Sequence, residues 1–90
     1  MKQNSTHTLL HKSSSFMLTS HITKLASGII KRYFAITISH KKRVWASEDE
    51  LDEIRTFCNS RNNIQHSKFE WRYPDEDSAR TMYTWVCIKY

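Results

Sequence analysis

The sequence predicts a small α+β protein: a mainly antiparallel sheet of three to four strands with one capped helix packed on it. Three observations carry that expectation. Ser47-Glu48-Asp49-Glu50 has the form of a helix-capping box. Segments 33–39, 68–73 and 81–89 alternate side chains between two faces, as half-buried strands do. The chain has 90 residues, 39% of them hydrophobic, which bounds it to one domain with a thin core.

Taken in order, residues 1–15 read as a disordered basic tail. Ser, Thr, His, Asn and Lys dominate there, and only Leu9 and Leu10 are large and apolar apart from Met1. Such a composition buries too little to offset the entropy of ordering. Residues 16–90 read as a single small domain. Its first segment, 16–32, is expected to be a basic amphipathic helix, detachable from the rest. Leu18, Ile22, Leu25, Ile29 and Tyr33 recur at helical spacing, although Gly28 costs such a helix about 1 kcal/mol.

Residues 33–39 follow as a strand rich in β-branched side chains. His40-Lys41-Lys42 then reads as a turn, and Arg43-Val44-Trp45-Ala46 as a short return strand. Ser47 caps the next helix. Leu51, Ile54, Phe57 and Cys58 give it a buried stripe, and five acids load its first turns, where the helix dipole favours them. Asn59 to Asn63 is expected to end it, with an Asn in a left-handed cap. Residues 68–73 and 81–89 are the last two strands, joined by an exposed turn at Pro74 to Ser78. The expected order is α-β-β-α-β-β.

Composition excludes several chemistries. Gly28 and Pro74 are the single glycine and the single proline. Phosphate-cradling loops and dinucleotide fingerprints need repeated glycines, so no nucleotide cofactor of those types is expected. Cys58 and Cys87 form no C-x-x-C pair, and with His40 and His66 they match no zinc spacing, so no metal or other cofactor is expected. No transmembrane segment and no secretory leader is legible. Free thiols then suggest a cytoplasmic location. The alternative is the mitochondrial matrix, if residues 1–30 form a presequence.

Charge is the most informative feature. Residues 1–47 contain no Asp or Glu, whereas all nine acids fall in residues 48–90. The halves carry +8 and −3. A basic half of this kind suggests contact with phosphate. The candidate nucleic-acid-binding residues are Lys41, Lys42 and Arg43 for phosphate, with Trp45 and Tyr83 as stacking groups. If helices cover only one face of the sheet, Tyr33, Tyr83 and Trp85 on the other would make a platform for unpaired bases.

The leading expectation is therefore a small non-enzymatic nucleic-acid-binding or regulatory protein. The alternative is a protein–protein interaction module, an inhibitor or adaptor of a larger assembly, using its amphipathic segment and edge strands. A third reading is a small metal-free RNA-cleaving enzyme, in which His66, Arg72 and a tyrosine act as acid, base and phosphate clamp.

Overall fold

The computed structural model describes residues 4–59 and 64–90, with residues 4 and 64–66 described by their backbone alone. The elements run β1 (Asn4–Lys12), β2 (Phe16–Lys24), β3 (Ile30–Ile38), α1 (His40–Trp45), α2 (Glu48–Cys58), β4 (Ile64–Ser67), β5 (Glu70–Tyr73) and α3 (Glu76–Lys89). The sheet is antiparallel throughout. β1, β2, β3 and β5 form four neighbouring strands, and the short β4 adds an edge beside β5.

The α+β class and the antiparallel sheet agree with expectation; the order of elements does not. Strands come first. Residues 4–12, expected within a tail, pair with β2 over their whole length, with a bulge between Leu9 and His11. They bury little. A backbone ladder with a neighbouring strand satisfies their polar groups without a hydrophobic face.

The expected helix over 16–32 is instead β2 and the start of β3, paired residue for residue from Phe16↔Ile38 to Lys24↔Ile30. Gly28 explains the difference. Its φ of 89° closes the turn between the two strands, where Gly28 N–H donates to Leu25 O at 2.9 Å.

Helix α1 replaces the expected turn and return strand. Ser39 caps it: Ser39 Oγ accepts from the Lys42 N–H at 3.2 Å and donates to Ser14 O at 2.9 Å. The next cap is where the sequence placed it. Ser47 Oγ accepts from the Glu50 N–H, and Leu51, Ile54 and Cys58 of α2 are buried. That helix ends on Asn59 in a right-handed conformation, not a left-handed one, and residues 60–63 of the expected cap lie outside the described residues.

Helix α3 overturns the last expected strand. Asp75, read as part of a plain turn, is its N-cap and accepts from the Ser78 N–H at 2.9 Å. Ala79, Met82, Tyr83 and Val86 line up on the buried side at spacings of three, one and three. Burial of that face overrides the β preference of Thr81, Tyr83, Thr84, Trp85, Val86 and Ile88.

The core lies between one sheet face and the helices α2 and α3. Phe16, Leu18, Phe34, Ile36, Ile38, Trp71 and Tyr73 come from the sheet and meet the buried faces of both helices. Two tyrosine hydroxyls tie the layers: Tyr73 Oη donates to Cys58 O at 3.3 Å, and Tyr83 Oη to Phe16 O at 3.4 Å. Among the described residues, no helix is long and apolar enough to cross a membrane.

Beyond this core the sheet continues as a thin blade. β5 pairs with β3 only from Phe34 onward, so residues 30–33 have no β5 partner. Across residues 5–8, 20–24 and 30–33, no side chain on either face is buried.

Candidate nucleic-acid interface

The residues expected to contact nucleic acid do not come together. Lys41 and Trp45 are exposed on α1 and, with Ser14, Ser15 and Lys42, line a shallow cavity of about 200 Å³. Trp45 is 80% exposed. Lys42 is held by α2, with Nζ 2.7 Å from Glu50 Oε1. Arg43 is also engaged: its Nε donates to Ile38 O at 2.9 Å and its guanidinium lies 4.5 Å from the Phe69 ring centre. Tyr83 sits on α3 and is 9% exposed, packed against the covered sheet face. Burial raises its phenol above the ordinary value. It is a core residue and is not presented for stacking.

The opposite sheet face lies away from α2 and α3. Of the rings considered for it, Tyr83 and Trp85 are on α3 instead, and those that do lie there are already in use. His7 on β1 meets His21 on β2 edge-on, with centroids 4.3 Å apart. His21 stacks on Tyr33 of β3 at 4.5 Å, nearly parallel. The Arg72 guanidinium of β5 lies 4.4 Å from the Tyr33 ring centre, and its Nε donates to Glu70 Oε2 at 2.8 Å. These groups form one row across four strands. A guanidinium and an imidazole take the two faces of Tyr33, so a base has no open platform there.

Within the row, His21 Nε2 is 2.7 Å from Thr19 Oγ1, and His21 Nδ1 is buried with no hydrogen-bond partner among the described residues. Burial lowers the imidazole's pKa, and His7 lowers it further; Glu70 opposes this and Arg72 adds to it.

Most of the cations without carboxylate partners among the described residues lie elsewhere, in the acid-free half; Lys68 and Lys89 are the exceptions in the other half. Lys24, Lys31 and Arg32 are exposed on the blade and form no ion pair among the described residues. Paired positions share a face, so Lys31 lies beside Thr23 on one side, while Arg32 and Lys24 lie beside Ile22 and Ile30 on the other. Lys12 and Lys41 are likewise exposed and unpaired. In contrast, Arg55, Arg72 and Arg80 on the acid-bearing side each bind a carboxylate: Asp52, Glu70 and Glu76.

No protein family, curated protein or solved structure matches the chain.

The other candidate chemistries separate in space. Cys58 is buried on α2, and burial pushes its thiol up to about 12, which keeps it protonated and unreactive at neutral pH. Cys87 sits on α3, 3.7 Å from Ser13 Oγ. Arg72, one of the residues named for RNA cleavage, is bound to Glu70 and stacked on Tyr33, and the side chain of His66 lies outside the described residues. Sequence reasoning singled out neither the blade cations nor the His7–His21 contact. Lys24, Lys31 and Arg32 were visible as charges, but only the β2–β3 register makes them neighbours.

Proposed function

We propose that the protein is a non-enzymatic nucleic-acid-binding protein, a small regulator, that holds the phosphate backbone through its acid-free half. One observation carries the reading. Among the described residues, Lys12, Lys24, Lys31, Arg32 and Lys41 stand exposed without ion-pair partners, while Arg55, Arg72 and Arg80 each pair with a carboxylate. Cations left free on strands that carry no acid attract phosphate and release its counterions. Trp45 beside Lys41 offers one further ring.

Fluorescence anisotropy with labelled nucleic acid at 50 and 200 mM salt tests this. Engagement of these cations gives a slope of log affinity against log salt of about −3.5 to −4.5, hence a loss of about 130- to 500-fold across that range. Binding that ignores salt, or no binding at 50 mM, refutes the reading.

A protein-interaction module is the second reading. It is favoured by Val44 and Trp45, adjacent apolar side chains left 63% and 80% exposed on α1. One stoichiometric protein partner, retained after nuclease treatment and lost in Trp45→Ala, would support it in place of the first.

A further inference from the structure

We infer that the ligand is B-form duplex DNA, and that the β2–β3 end of the blade enters its major groove. This rests on the nucleic-acid reading above and narrows it to a substrate class.

The first ground is the shape of the blade. It is a single sheet layer, unburied on both faces, capped by the tight turn at Leu25–Ile29. One such layer is about 10 Å thick. A B-form major groove is about 12 Å wide and about 8.5 Å deep and admits a two-stranded β-ribbon. The blade has three strands, β1, β2 and β3, so it enters with its thickness across the groove and its strands side by side along it. At about 3.4 Å per residue, that depth takes in the turn and the first residue pairs of the strands. Lys31 and Arg32 then stand level with the groove rim, where the phosphates are.

The second ground is the distribution of charge. A ribbon seated tip-first has a phosphate wall on each side. Lys31 projects from one face of the blade, and Lys24 and Arg32 from the other, so each wall meets a cation. No acid occurs anywhere in β1, β2 or β3 to oppose them. Ile29 and Ile30, 58% and 62% exposed at the tip, reach the groove floor, where thymine methyl groups offer apolar contact. The turn holds no Arg, Asn or Gln to read base edges, so affinity varies little with sequence.

The third ground disfavours the other nucleic acids. Single strands are held by stacking on open rings, and both faces of Tyr33 are taken by His21 and Arg72. Trp45 is open but lies past the far end of β3, with about 20 Å of strand between Arg32 and Ile38. A-form RNA has a deep, narrow major groove that closes against such a ribbon.

The test uses the full chain and three labelled probes: a 20-base-pair DNA duplex, one of its strands alone, and the matching RNA duplex. The DNA duplex should bind at least tenfold tighter than either of the others. Lys31→Ala/Arg32→Ala should reduce the salt slope for duplex DNA by about two, one per lost phosphate contact, with an unchanged circular dichroism spectrum. Lys24→Ala, a second exposed position, should reduce it by about one. Equal or tighter binding of the single strand or the RNA duplex would overturn the inference while leaving the nucleic-acid reading intact. So would an unchanged slope in both variants, or a Trp45→Ala loss exceeding that of the double variant. No binding to any probe would overturn both.

Discussion

The two ends of the sheet are built from the same strands and follow opposite rules. Toward Phe16, Ile38 and Trp71, the strands lie under α2 and α3, one face is buried throughout, and Glu50, Asp52, Glu70 and Glu76 each neutralise a nearby cation. Toward Lys24 and Ile30, the same strands run on without helices, without a fully buried side chain and without acids. The covered end resembles a structure under selection for stability. The blade retains exposed isoleucines, and cations that form no ion pair among the described residues, which contribute nothing to the core; the proposed function uses them for binding. The comparison teaches that the buried core and the surface proposed for ligand contact are separated along β2 and β3 within a few residues of each other.

The largest effect should come from the covered end. Trp71→Ala removes a fully buried ring and should cost about 3–5 kcal/mol in urea unfolding, whereas Ile30→Ala on the blade should stay within about 0.5 kcal/mol. Comparable losses at both positions would erase the division. Ser47→Ala is next. It removes the acceptor of the Glu50 N–H and should cost about 1 kcal/mol with DNA affinity unchanged.

The smallest effect should come from the ring row that borders both regions. Folding lowers the proton affinity of His21 below its ordinary value of 6.5. The unfolded chain therefore takes up a proton that the folded chain resists. The stability His21 contributes is complete above pH 6.5 and is lost as the pH falls below it. Its NMR titration midpoint should lie below 6.5, and His21→Phe should flatten the acid limb of stability against pH. A midpoint above 6.5 would reverse the sign.

What the sequence revealed was local. The Ser47 capping box is complete within four residues, so the start of α2 was legible without any tertiary information. Residues 33–39 show their alternation openly, and β3 lies there. Elsewhere two periods competed. Met82 and Val86 fit an alternating face and also a helical one, and only burial beside Ala79 and Tyr83 decides for the helix. Leu18 to Tyr33 matched helical spacing, yet Ile22 is only partly buried and Ile29 is exposed. The single glycine was the better signal there, because it marks the turn. β1 was hidden for another reason: its order comes from the β2 ladder, which composition does not encode. The candidate interface was legible as charge asymmetry but not as a place. Lys42 and Arg43 carry the right charge, but Glu50 and Phe69 occupy them. Lys24, Lys31 and Arg32 become a site only once the hairpin is known.

Amide hydrogen exchange of the full chain, with and without a saturating DNA duplex, tests the division most directly. Alone, the amides of residues 20–24 and 30–33 should exchange far faster than those of residues 34–38, which lie beneath the helices. With duplex bound, protection should rise across residues 20–24 and 30–33 while α2 and α3 stay unchanged. Protection centred on α2 or α3, or a blade that exchanges as before in the saturated complex, would contradict the account.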